Sequence, residues 1–302
     1  MLNATPQRAA RSALIASVGC YVLWGITPIL FIALGRAGAG AWEIVGQRAV
    51  WSAPWAGALV LFSGHGRQVL EILRRPGQVA LLAVSALCVS TGWIVFVWAV
   101  NHGHNLEASL GYFINPLLNM AVGAIIFRER IDRFGKLAVA LAAAGVALQT
   151  LALGHPPLIS LVLAGAFTLY GLIRKRIAAE AQAGLFVETL IMAGPGLVYV
   201  IWLNLAGVAR FGHGAEVSWL LALTGPATVA PLALFAWSAR RTSFSTMGFL
   251  QFIYPSISFC IGLAVGERLN PMGAASFVFI WAGAAVFGYG AWRAGRRARL
   301  VA

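Results

Sequence analysis

The chain has 302 residues, of which 60% are hydrophobic and only 10% charged. A soluble domain carries about 25% charged residues, so a water-soluble enzyme is excluded. The net charge of +13 would suggest nucleic acid in a soluble protein; here it raises the question of which side of a membrane the positive residues occupy.

In chain order, Arg8 and Arg11 precede a first apolar run, and many further runs follow. The first run therefore reads as a retained helix rather than a signal peptide. Ten spans are expected: 12–34, 42–62, 78–98, 106–127, 134–151, 158–173, 184–205, 217–238, 243–266 and 271–292. Each is close to the ~20 residues that cross a bilayer. Helices are expected because each satisfies its own backbone in lipid, and the period-two alternation of a barrel strand is absent. Cys20, Cys88 and Cys260 lie within apolar runs and imply neither disulfide nor metal.

Sorted by loop, 18 of the 22 Lys and Arg residues fall in one set of compartments, which includes both tails. Three (Arg36, Arg210 and Arg268) fall in the other, and Arg48 lies inside a span. Positive residues gather on the cytoplasmic side, which predicts that both termini are cytoplasmic.

The halves repeat at a spacing near 140 residues. Ser109-Leu-Gly111-Tyr-Phe-Ile-Asn-Pro116, ending at Glu129-Arg130, answers Thr246-Met-Gly248-Phe-Leu-Gln-Phe-Ile-Tyr-Pro255, ending at Glu267-Arg268. Trp24-Gly25 has a looser counterpart in Tyr170-Gly171. Five spans per half is an odd number, so matching helices run in opposite directions. The expected fold is an all-α integral membrane protein of ten transmembrane helices in two inverted five-helix repeats, 12–151 and 158–292. Such repeats are typical of secondary transporters with a site near the midplane.

Polar residues in a span must face protein or water. Tyr112, Asn115 and Asn119 share one helical face, and Gln251, Tyr254 and Ser258 share another in the same pattern. Pro116 and Pro255 free backbone carbonyls beside them. The repetition points to the lining of a central cavity between helices 1–4 and 6–9; the alternative is hydrogen bonding between helices. Arg48 either holds an anionic group of a substrate or is a structural arginine bonded to carbonyls. Glu188 is a proton-coupling candidate, or else a carboxylate at the N-terminal turn of its helix. The depths of Arg48 and Glu188 differ by roughly 15 Å in a core about 30 Å thick, so no salt bridge between them is expected. Trp24, Trp93, Trp98 and Tyr170 offer flat surfaces for stacking, or serve as core and belt residues. His102 and His104 alone are too few for a metal site. Ala140/Ala144 and Ala284/Gly288 are small-residue pairs that suit close helix packing or a homodimer face. There is no P-loop, G-x-S-x-G or H-E-x-x-H, so no cofactor is expected and ATP cannot directly power the chain.

Several stretches carry a family resemblance: Leu106-Glu-Ala-Ser-Leu-Gly-Tyr-Phe-Ile-Asn-Pro116 with Asn119, Phe96-Val-Trp98-Ala-Val-Asn101, Tyr170-Gly-Leu-Ile-Arg-Lys175, Ala179-Glu-Ala-Gln182 and Phe249-Leu-Gln251-Phe-Ile-Tyr-Pro255. On these the chain resembles the EamA family of the drug/metabolite transporter superfamily, in its RarD group, nearly end to end. The resemblance implies two inverted EamA repeats in the bacterial inner membrane and export of small molecules, and leaves substrate and coupling open. The expectation is a secondary transporter of small amphipathic molecules working by alternating access. Its substrate would be held by Arg48, Tyr112, Asn115, Asn119, Gln251 and Tyr254, with Trp24 and Trp98 for stacking. Its partners would be that substrate and the lipid bilayer, without nucleic acid. The rival is a membrane-embedded enzyme acting on a lipid or isoprenoid, which would need clustered acids; the nine acids here are scattered.

Overall fold

A computed structural model describes residues 6–101, 105–153, 155–177, 179–264 and 271–301. Glu267, Arg268, His102 and His104 lie outside the described residues, as does the side chain of Ser258. The described elements are all helices: α1 (Pro6–Arg36), α2 (Ala41–Ser63), α3 (Gly66–Leu73), α4 (Pro76–Asn101), α5 (Asn105–Ile125), α6 (Arg133–Leu153), α7 (Leu158–Arg176), α8 (Ala181–Leu205), α9 (Ala215–Ala239), α10 (Phe244–Leu250), α11 (Ile253–Ala264) and α12 (Pro271–Val301).

Among the described residues, five helical stretches are long and apolar enough to cross a membrane: Arg11–Arg36, Pro76–Phe96, Leu158–Arg176, Ala181–Leu205 and Ala215–Ala239. Leu110–Ile125 and Ala274–Gly290 are shorter apolar helices. Helix is present in every one of the ten apolar segments, with two departures from the expected boundaries. The stretch 63–77, expected to be a loop, contains α3. The ninth segment is two helices rather than one. Pro255 has no N–H to give the carbonyl of Gln251, which instead receives Tyr254 N at 3.2 Å, while Phe252 N turns to Phe249 O at 3.2 Å. These tighter i→i+3 bonds interrupt the helix at Gln251 and Phe252.

The helices pack into two compact units, Met1–Trp98 with Leu169–Thr242, and Ala99–Thr168 with Ser243–Ala302. Each unit takes helices from both halves of the sequence. In the first, α2 lies along α8 and α9, α1 lies along α9, and α3 rests on α8. Its main core joins Val60, Val69, Ile72, Leu82, Ile173 and Val187. In the second, α12 lies along α6, and α5 contacts α6 and α10. Its core gathers Phe113, Met120, Phe249, Phe252 and Ile280, and Phe249 stacks on Phe287 with ring centroids 3.6 Å apart.

The close packing of α6 on α12 runs through Gly145 and Gly283, where a Cβ would stand 2.8 Å from a backbone oxygen of the opposite helix. Of the small-residue pairs singled out in the sequence, Ala144 and Ala284 are half-buried and Ala140 and Gly288 are exposed.

Candidate functional site

In the first unit, four helices converge on Arg48 of α2. Its Nε donates to Thr228 Oγ1 of α9 at 3.0 Å. Thr228 itself donates to the carbonyl of Thr224 at 2.7 Å, so a lone pair remains for the guanidinium. The guanidinium carbon lies 4.2 Å from the ring centroid of Trp93 on α4 and 5.3 Å from that of Phe31 on α1. Ring faces attract a cation, and together these contacts fix the planar group. Arg48 remains half-buried. A fixed, partly accessible guanidinium among aromatic rings is suited to a carboxylate, which it can meet through two parallel hydrogen bonds.

The same unit holds a second charged centre. Glu188 of α8 lies 3.6 Å from Arg174 Nη1, with the Arg174 and Glu188 side chains 2% and 1% exposed. Arg174 also donates through Nη2 to the carbonyl of Ala181 at 2.9 Å. Gly184 makes room for it, since a Cβ there would sit 2.5 Å from Arg174 Nη1. Because α8 starts at Ala181, Glu188 lies two turns inside the helix, and its first turn carries no acid. The alternative of a carboxylate at the N-terminal turn therefore falls.

Trp24 neighbours Tyr21 and Phe235 at 5.9 and 5.8 Å between centroids. Tyr170 stacks on Phe235 at 5.5 Å, so Phe235 lies between them. Trp98 is 40% exposed. A groove of about 500 Å³ between α1 and α9, lined by Ser12, Ile15, Ala16, Gly19, Leu234 and Trp237, contains none of the residues expected to bind substrate.

In the second unit the amides of the polar stripes, Asn115, Asn119 and Gln251, are buried and bonded to each other. Asn115 Nδ2 donates to Ala164 O at 2.8 Å and Thr168 Oγ1 at 3.0 Å. Asn119 Nδ2 donates to Asn115 Oδ1 at 3.3 Å and Gln251 Oε1 at 2.7 Å. Asn115 and Asn119 are 2% and 1% exposed. This amide chain ties α5 to α7 and to the break between α10 and α11. Tyr112 and Tyr254 meet edge to face at 4.8 Å and are half-buried. Glu129 marks the same device at the start of α10: its carboxylate accepts the N–H groups of Phe244 and Ser245 at 2.7 and 2.9 Å. These are donors a helix start leaves unpaired.

Sequence reasoning passed over Thr228, Thr168, Gly184 and Arg174. Arg174 was counted among the loop cations; its position close before a short connection to the helix of Glu188 is the signal that pairs them. Among the described residues, no three His, Cys, Asp or Glu side chains gather as a metal site.

The sequence profile of the EamA-like transporter family matches residues 11–151. An uncharacterized transporter of Vibrio cholerae is 38% identical over 301 residues, 99% of each chain. The protein RarD of Salmonella typhi is 39% identical, covering 93% of this chain and 95% of its own. A crystal structure aligns at a TM-score of 0.70 with 17% identity, covering 94% of this chain and 98% of that one; this likeness concerns the fold alone.

Proposed function

This chain belongs to the EamA-like transporter family and is a RarD-type, multi-pass bacterial membrane protein; on that premise we propose that it exports small amphipathic molecules across the inner membrane by alternating access. The single observation that carries the binding site is Arg48, held by Thr228 between Trp93 and Phe31 while half-buried. It receives an anionic group of the substrate, and Trp24 and Trp98 of the same unit supply flat surfaces for an apolar part.

Asn115, Asn119 and Gln251 take the other role open to them in the sequence. Their amides are turned on one another, so they position the helix break rather than touch substrate. Glu188 serves proton coupling, with Arg174 as the counter-charge released when the carboxyl is protonated.

The packing supports the ten-span repeat, while the cytoplasmic placement of both termini rests on the distribution of Lys and Arg among the loops. α2 pairs with α8, α5 with α10, and α6 with α12. In span order these are the second with the seventh, the fourth with the ninth and the fifth with the tenth, the partners a duplication relates.

The test is untargeted comparison of extracellular and intracellular metabolites with and without expression, alongside a drug-susceptibility panel, followed by flux of the compound found in proteoliposomes. Export of an anionic compound that R48Q abolishes supports the reading. Wild-type flux in R48Q overturns the site, and chemical conversion of the compound by purified protein overturns transport in favour of an enzyme.

A further inference from the structure

We propose that α3 is an interfacial helix whose outer face binds anionic phospholipid headgroups. The helix spans eight residues, Gly66–Leu73. Val69 and Ile72 are buried in the core of the first unit with Val60, Leu82 and Val187. The other face stays open. Leu70 and Leu73 are 57% and 49% exposed, and Arg67, Glu71, Arg74 and Arg75 are exposed with them.

Chain continuity sets the depth of this face. Only Gly64 and His65 separate α3 from α2, which ends on the exposed Leu61 and Phe62 followed by Ser63. Arg75 leads directly into Pro76–Phe96, a stretch long and apolar enough to cross a membrane. A segment that joins the exposed apolar end of α2 to the start of that stretch lies at the water boundary. There Leu70 and Leu73 enter the acyl edge while the arginines meet phosphate.

Three arginines against the single Glu71 leave this face positive, which selects an anionic headgroup over a zwitterionic one. The helix is also a rigid handle on its unit. Gln68 Oε1 accepts the N–H of Glu180, the residue before the first turn of α8, at 3.1 Å. Lipid bound here therefore stabilises the connection between α7 and α8, the helices that carry Arg174 and Glu188. The inference concerns lipid rather than substrate, and it stands or falls apart from the transport reading.

The experiment measures thermal unfolding of the full-length protein in neutral detergent, titrated with phosphatidylglycerol or phosphatidylcholine. Phosphatidylglycerol should raise the midpoint more than phosphatidylcholine. In R67Q/R74Q/R75Q, at least tenfold more phosphatidylglycerol should be needed for half the rise, since each basic residue at an anionic surface contributes roughly fivefold in affinity. L70S/L73S should weaken the response as well. R128Q/R130Q/K136Q, which removes the same charge from exposed positions of the second unit, should respond as wild type. Equal responses to the two lipids, or equal loss in both triple variants, would overturn the proposal. A like rise with inorganic phosphate would assign the site to a free anion instead. A lipid-free complex whose mass halves in R67Q/R74Q/R75Q would assign the face to a second copy of the chain.

Discussion

In the first unit the polar groups at the proposed functional positions are ions, Arg48 and the Arg174–Glu188 pair, each placed among aromatic rings or buried from solvent. In the second unit they are neutral amides, Asn115, Asn119 and Gln251, chained to each other and to a carbonyl. Both arrangements answer the same problem, that an unpaired polar group in a low-dielectric interior is costly. They differ in what is left over. The amide chain engages Asn115 Oδ1, Asn119 Nδ2 and Gln251 Oε1 and fixes a geometry, leaving Asn119 Oδ1 without a hydrogen-bond partner, and its dipoles act only at short range. A charge keeps a long-range field that a ligand or a proton can still use. The first unit therefore carries the proposed binding and coupling chemistry, and the second carries the broken helix and its support.

The largest effect expected from breaking this contrast is at the buried ion pair. R174M alone strands Glu188 and should destabilise the protein by about 3–5 kcal/mol, whereas R174M/E188L should recover most of that loss. Thermal or denaturant unfolding in detergent measures both, and a double variant no better than the single would show that the two charges are not a pair. E188Q keeps the shape but removes the ionisable group and strands the Arg174 charge, so a stability loss of about 3–5 kcal/mol is expected with it, and flux per folded protein should lose its dependence on a proton gradient. Normal flux with unchanged pH dependence in E188Q would end the coupling proposal.

At Arg48 the expected effect is on transport. R48Q should lower flux at least tenfold. R48K should recover little of it, because an ammonium cannot reproduce the planar, two-point contact with a carboxylate. Full activity in R48K would mean that a point charge suffices. In the second unit, Q251L leaves the Asn119 amide without its 2.7 Å acceptor. A stability loss of about 1–3 kcal/mol is expected, with flux falling only as the folded fraction falls. A fully folded Q251L that cannot transport would move Gln251 from helix support to substrate contact. The smallest effect belongs to the tyrosine pair: Y254L should cost about 0.5–1.5 kcal/mol through the lost edge-to-face contact.

The helical class and the apolar segments were legible because hydropathy along the chain records which backbone must satisfy itself in lipid. The polar stripes were legible as helical faces for the same local reason, a period of 3.6 residues. Less legible was which way a stripe turns. Asn115, Asn119 and Gln251 have the spacing of a cavity lining and of an interhelical bond alike; only the position of Ala164, Thr168 and the facing amides separates the two. The break of the ninth segment was foreshadowed by Pro255. Its placement at Gln251 and Phe252 follows from which carbonyls find i→i+3 donors. The helix α3 escaped notice because eight residues with two leucines, a valine and an isoleucine among charges look like a loop until Val69 and Ile72 are seen to join a core.

By itself the sequence determined the membrane class, the approximate helix positions, the family resemblance and Arg48 as a positive residue inside a span, all properties that depend on local composition and short-range period. The tertiary structure decided the partnerships. It set Thr228 and Trp93 against Arg48, drew Arg174 out of its apparent loop to Glu188, and turned the amides of the second unit inward on one another. These are contacts between helices far apart in the chain, and no local pattern encodes which faces will meet; packing of whole helices does.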